Sequence, residues 1–110
     1  MAKTFHLEIV SPEAMVWRGE VEFLSTRTTE GEIGILADHE ATMAPLATST
    51  SVVHTPQGER INVAVHGGFL QIFRNQVTVL SDRAEIAEGD LEAVRERAEE
   101  LAAEAAEEDG

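Results

Sequence analysis

From residue 5 to about residue 82 the chain runs as short apolar stretches broken every few residues by Gly, Pro, Asn or Asp, leaving no window long enough for a helix. Phe5, Leu7 and Ile9 alternate with His6 and Glu8 up to Pro12, the period of a half-buried strand. Met15, Trp17, Val21 and Phe23 share one parity and Arg18, Glu20 and Glu22 the other, with Val16 and Leu24 breaking the alternation. Gly31 and Gly34 bracket an expected tight excursion before Ile35-Leu36. Pro56-Gln57-Gly58-Glu59 and Arg74-Asn75-Gln76 read as hairpin turns, and Gly67-Gly68 as a bulge or bend. Closely spaced strands without helices between them predict a mainly β chain, an antiparallel sandwich or barrel.

The pattern changes near residue 85. Residues 85–110 carry eleven acids and two bases, so of the formal charge of −13 they hold −9 and residues 1–84 hold −4. Composition shifts from Val, Ile, Thr and Phe to Ala, Glu, Leu and Arg, which favours helix. We therefore expect a sandwich domain over 1–84 and an acidic helical segment over 85–110, capped at Asp90 after Gly89. Leu91, Val94, Ala98, Leu101 and Ala105 form a thin apolar stripe. Glu92, Glu96, Glu100, Glu104 and Glu108 form an i,i+4 row whose neighbours repel by roughly 0.2–0.5 kcal/mol per pair. Arg95 with Glu99 is one expected compensating pair, and the last turn should fray toward Gly110.

Charge and composition exclude several classes. An excess of acids opposes nucleic acid and anionic lipid alike. No run reaches the roughly 18 apolar residues of a membrane span, and the start lacks a signal-peptide h-region. With no cysteine there is no disulfide, thiolate nucleophile or Cys-zinc site. The four histidines are dispersed, and Asp38-His39-Glu40 reads as a polar loop tripeptide rather than a metal or acid–base site. Gly-x-Ser-x-Gly and the Walker pattern are both missing. Trp17, alone at a core parity, reads as packing rather than a ligand face. Nothing in the chain points to catalysis or to a cofactor.

Read as ordered segments, the chain resembles the epsilon subunit of bacterial F-type ATP synthase. The blocks are Phe5-His6-Leu7-Glu8-Ile9-Val10-Ser11-Pro12-Glu13, Trp17-Arg18-Gly19-Glu20-Val21, and Thr28-Thr29-Glu30-Gly31-Glu32-Ile33-Gly34-Ile35-Leu36. Gly67-Gly68-Phe69-Leu70 and Asn75-Gln76-Val77-Thr78-Val79-Leu80-Ser81-Asp82 complete them in order. The resemblance implies a sandwich of about ten strands followed by a C-terminal helical region. It also implies a non-catalytic rotor subunit that joins the gamma subunit to the membrane c ring in proton-driven ATP synthesis. Such a subunit sits at the cytoplasmic face of the bacterial plasma membrane, with the catalytic head as a more distant partner.

The resemblance assigns Glu30, Gly31 and Glu32 to contact with arginine-bearing polar loops of the c ring, and Ser11 and His39 to contact with gamma. After Ile35-Leu36 the chain reads Ala37-Asp38-His39-Glu40-Ala41-Thr42-Met43, without the prolines common there, so a more mobile loop is expected. Some relatives bind ATP through an Ile/Leu-Asp-x-x-Arg-Ala motif. Leu91, Glu92 and Arg95 are its degenerate counterpart, and no ATP binding at physiological concentration is expected. One acidic helix, without the basic second helix of longer relatives, implies weak or no autoinhibition of ATP hydrolysis. The competing reading is a free-standing acidic sandwich that binds a small ligand; five aromatics, most at core parity, offer it little.

Overall fold

A computed structural model describes residues 3–87 and 91–109, with residues 91, 108 and 109 described by their backbone alone. Ten strands precede one helix: β1 (Phe5–Ser11), β2 (Ala14–Val21), β3 (Phe23–Thr28), β4 (Gly31–Ile35), β5 (Thr42–Pro45), β6 (Ser49–His54), β7 (Arg60–His66), β8 (Phe69–Phe73), β9 (Gln76–Leu80), β10 (Arg83–Ile86) and α1 (Leu91–Asp109). They form two five-stranded sheets, ordered β2-β1-β9-β8-β5 and β10-β7-β6-β3-β4. Pairing is antiparallel except between β1 and β9, which run parallel. The β-sandwich thus agrees with the alternation. Strand β10 carries the sandwich on to Ile86, past the boundary expected at residue 84.

The inner faces meet over Phe5, Leu7, Ile9, Val21, Leu24, Ile35, Val53, Val63, Val65, Leu70, Val77 and Val79, all buried. Burying each such side chain contributes roughly 1.5–3 kcal/mol, which is why the period-2 positions settle strand register. Two polar residues share this inner layer: Thr26 and Ser51 are buried and bond to each other at 2.7 Å. Each hydroxyl satisfies the other, so neither bears an unmet desolvation cost.

Local departures from simple alternation each have a cause. The β1–β2 register shifts between Ile9 and Val10. Val16 and Trp17 both pack against the core, and Met15 is turned outward opposite Val10. Phe23 leaves the core parity because the chain crosses at Glu22 from the first sheet to the second. There Leu24 takes the inner position, and Phe23 stacks edge-on with His54 on the outer face, ring centroids 5.3 Å apart. Most aromatics therefore lie off the core, contrary to expectation: Phe69 and Phe73 are exposed because Leu70 and Ile72 hold the inner positions of β8.

The glycines correct a second expectation. Gly34 lies inside β4 rather than closing a tight excursion, with the Phe23 ring 3.1 Å from where its Cβ would be. Arg74 and Asn75 both take positive φ, 49° and 61°, as a two-residue hairpin of the primed type requires. Gly67-Gly68 makes the bend by which the chain passes from β7 in one sheet to β8 in the other.

The helix lies on the outer face of the second sheet. Val94, Ala98 and Leu101 are buried with Ala64 of β7, a small contact of the size the thin stripe predicts. The expected cap at Asp90 and the Leu91 side chain lie outside what is described. The compensating base is Arg97, not Arg95. Arg97 donates to Glu85 of β10 at 2.7 Å, to Glu100 at 2.9 Å and to Glu104 at 3.3 Å, while Arg95 has no ion pair among the described residues. One guanidinium thus offsets two members of the acidic row and ties the helix to the sheet, and α1 continues to Asp109.

Candidate functional site

The hairpin between β3 and β4 is built by one side chain. The Thr28 hydroxyl accepts from the Glu30 amide at 3.2 Å and donates to the Gly31 carbonyl at 3.0 Å. Gly31 takes φ 132°, a conformation open to glycine, which lets the turn tighten after Glu30. The hairpin is also stitched to β5: the Thr29 amide donates to the Pro45 carbonyl and the Ala47 amide to the Arg27 carbonyl, both at 3.0 Å. Glu30 is thereby presented at a fixed, exposed tip. Glu32 stands on the flank of β4 opposite Arg27, so the two carboxylates are not side by side.

Around the same end of the sandwich run three further turns. The Ser81 amide donates to the Val10 carbonyl at 2.9 Å, and the Leu46 amide to the Gly68 carbonyl at 2.9 Å. Those bonds link Ser11-Pro12, Ser81-Asp82, Gly67-Gly68, Leu46 and the Thr29-Glu30 turn into one rim. A shallow notch of about 450 Å³ opens between Ser11-Pro12 and Gly68-Phe69. Ser11 itself is held to the Ala14 carbonyl across its turn at 3.5 Å.

Beside this rim an apolar row crosses the whole outer face of the first sheet. Met15 pairs with Val10, Val10 with Leu80, Leu80 with Phe69, and Phe69 with Pro45. Met15, Leu80 and Phe69 are 46%, 45% and 51% exposed, although half-buried outer positions usually go to polar residues. An unbroken row of this kind is a candidate interaction face. The row is invisible in sequence, because its five members come from five strands and Met15 shares the parity of core residues.

His39 lies at the opposite end of that sheet. Its loop is fastened through Asp38, whose carboxylate accepts from Lys3 at 2.9 Å and from the Asn75 amide group at 3.0 Å. The Asp38 backbone amide in turn donates to Asn75 at 2.6 Å. Asp38 takes φ 66°, which Asp tolerates better than most residues. These bonds hold the loop where proline stiffness was missing. The imidazole Nδ1 of His39 meets the Glu40 carbonyl at 2.9 Å, so Asp38 and His39 are engaged separately. No group of three His, Cys, Asp or Glu side chains suited to a metal occurs among the described residues.

Lys3, and then Asn75, draw the Asp38 carboxyl below its ordinary 3.8. A depressed folded-state pKa stabilises the loop above the unfolded value, and the contribution is lost as pH falls through the folded one. We therefore expect the Asn75 side-chain amide resonances to titrate with a midpoint below that of an ordinary Asp carboxyl, and to be insensitive to acid in an Asp38→Asn chain. Titration of those resonances by NMR checks this.

Of the degenerate nucleotide motif, Glu92 and Arg95 line an open cleft between α1 and the second sheet, together with Arg27 and Arg60. Ser11 and Glu30 thus share one rim, His39 stands apart from them, and Glu92 and Arg95 belong to another face.

The family model of the ATP synthase delta/epsilon chain β-sandwich domain matches residues 4–87. The ATP synthase epsilon chain of Rhodococcus erythropolis is 43% identical over 91 residues, covering 81% of this chain and 75% of that one. The epsilon chain of Streptomyces avermitilis is 36% identical over 88 residues, covering 80% and 71%. Among solved structures, a chain of the Euglena gracilis mitochondrial ATP synthase (OSCP/F1/c-ring) superposes with a TM-score of 0.73 at 27% identity. It covers 91% of this chain and 64% of that one. A chain of the Tetrahymena thermophila central stalk/c-ring structure, at 10% identity and a TM-score of 0.62, shares the fold. No described helix is long and apolar enough to cross a membrane. With family match, relatives and superposition in agreement, the chain belongs to the ATP synthase epsilon-chain family and carries its β-sandwich domain.

Proposed function

We propose that the chain is a non-catalytic rotor subunit of a proton-translocating ATP synthase, coupling gamma to the c ring at the cytoplasmic face of the bacterial plasma membrane. The observation that carries this reading is the rim: a rigidly stitched end bearing Glu30, immediately beside an unbroken apolar row. A torque-transmitting connector needs a body that does not deform and adhesive surfaces facing two partners. Dense packing of two sheets supplies the first requirement. Glu30 at its fixed tip meets an arginine-bearing c-ring loop through charge-assisted hydrogen bonds. The apolar row meets gamma, with Ser11 and His39 touching it at the two ends of one sheet. A partner elongated along the strands reaches both.

The acidic outer face of α1 is unsuited to act as a basic inhibitory arm, and coupling is expected without strong suppression of hydrolysis. Reconstitution into an epsilon-depleted complex tests these assignments together. Addition should restore ATP synthesis while leaving most hydrolytic activity. Glu30→Arg should weaken c-ring attachment about tenfold or more, with gamma affinity unchanged. Undiminished c-ring attachment in that variant removes Glu30 from the interface, and failure to bind gamma removes the rotor reading.

A further inference from the structure

Strand β8 sets two phenylalanines on the same outer face of the first sheet, Phe69 and Phe73, with Gln71 between them. At Phe73 the ring already carries a cation: the Arg74 guanidinium carbon lies 5.2 Å from its centroid. Phe69, 51% exposed, has no such partner among the described residues. Its ring instead forms one wall of the notch at the rim, with Val10, Pro12 and Leu80 as further apolar walls. One charged group lines the same space, Asp82. Its carboxylate lies over Gly67, where a Cβ would meet it, and makes no hydrogen bond or ion pair among the described residues. The floor is fixed. The buried Ser81 donates its amide to the Val10 carbonyl at 2.9 Å, and its hydroxyl reaches the carbonyls of His66 and Arg83 at 3.1 and 2.5 Å.

We propose that this notch seats one arginine side chain of gamma, its stem along Pro12 and Leu80 and its guanidinium lying on Phe69 and paired with Asp82. That gamma is the source rests on the rotor reading above: Val10, Leu80 and Phe69 belong both to the notch and to the apolar row, so one partner covers both. Charge selects the type of group. A wholly apolar occupant would strip water from Asp82 and leave it unpaired, and an anion would meet a carboxylate on a chain of net charge −13. Shape selects arginine over lysine. A guanidinium is flat, weakly hydrated and forked, so it stacks on an aromatic face while pairing edge-on with a carboxylate, as a compact ammonium cannot. The two contacts use different parts of the group. Its edge meets Asp82 and its face meets Phe69, which leaves no N–H directed at position 69. Enclosed by the notch walls, the ion pair is screened little by salt, and it fixes where along the row gamma sits.

Arginine-selective modification of gamma with phenylglyoxal, with and without the full chain bound, tests the site. One gamma arginine should be protected by the unmodified chain, and the same arginine should react freely when Asp82→Asn is bound at saturation. Titration with gamma should show affinity weaker by about tenfold or more for Asp82→Asn. Phe69→Leu, which keeps the row apolar but removes the ring, should weaken it about fivefold. Glu59→Gln, an equal loss of charge at the β6–β7 turn of the other sheet, should change nothing. If gamma binds but no arginine is protected, or a lysine is protected against acylation in its place, the proposal fails and the rotor reading stands. If Asp82→Asn weakens attachment to the c ring while gamma affinity holds, the arginine belongs to the c ring, and the proposal is overturned as well. Failure of the unmodified chain to bind gamma is the one result that removes both.

Discussion

Replacing Gly68 by alanine is expected to unfold most of the margin this chain has, whereas the same change at Gly67 costs little. At Gly68 a Cβ would fall inside contact distance of the Leu80 carbonyl oxygen, with the Ser81 Cα at 2.7 Å and the Leu80 carbonyl carbon at 2.8 Å. All three are backbone atoms, two in Leu80 at the end of β9 and one in Ser81 just past it, so none can yield without disturbing the Phe69–Leu80 end of the β8–β9 ladder. The backbone at φ 96° is itself unfavourable for an L side chain. Together these place Gly68→Ala among the severe substitutions, about 4 kcal/mol or more, and a fall in Tm of about 15 °C or more. At Gly67 the obstruction is the Asp82 carboxylate, the movable end of a side chain, and φ 63° lies in the left-handed well. About 1–2 kcal/mol is expected there. Paired urea and thermal unfolding curves check the contrast. Equal losses at both positions would mean that turn conformation, and not the close approach to β9, sets the cost.

The two glycines illustrate what a sequence of this type exposes and what it conceals. Paired glycines between two strand-like runs announce a bend, but only the structure shows that the bend changes sheets and brings Gly68 onto the backbone of β9. Alternation served well wherever a strand has one wet face. In β1 the buried Phe5, Leu7 and Ile9 are the residues the period selects. The period fails at two points, and both failures are geometric. A bulge beside Ile9 reverses the parity of Met15 relative to Trp17. The crossing at Glu22 reverses that of Phe23 relative to Val21. Neither event leaves a mark in local composition.

The helix shows a different limit. Its stripe and its acidic row were both legible, because helical neighbours are close in sequence. The choice of Arg97 over Arg95 as the compensating base was not, because it depends on Glu85, which belongs to a strand on which the helix happens to lie. The cleft was hidden for the same reason: positions 27, 60 and 95 are unrelated until β3, β7 and α1 meet. The site residues divide likewise. Thr28-Thr29-Glu30-Gly31 is a local turn whose form follows from its own sequence, while the rim joining it to Ser11 rests on bonds between segments far apart in the chain.

The apolar row is expected to be the energetic centre of the gamma interface. Leu80→Asp and Phe69→Asp should each weaken gamma binding about a hundredfold, roughly 3 kcal/mol, while leaving the fold intact. Both side chains already reach water, so a carboxylate there stays hydrated and costs the free subunit far less than it costs the complex. In the complex the same carboxylate is desolvated against an apolar surface with no partner, and the cost falls entirely on binding. Ile86→Asp, at a comparably exposed position on the other sheet, should change affinity little. Titration of the purified chain with gamma, by calorimetry or surface-immobilised binding, measures all three. Salt separates this contact from the one at Glu30. An interface centred on Met15, Val10, Leu80 and Phe69 should lose little affinity between 50 mM and 500 mM salt. A charge-assisted contact at an exposed tip should weaken markedly, because the Debye length contracts from about 10 Å at 0.1 M to about 3 Å at 1 M. If gamma binding by the unmodified chain collapsed with salt while Leu80→Asp bound normally, electrostatics and not the row would carry the interface.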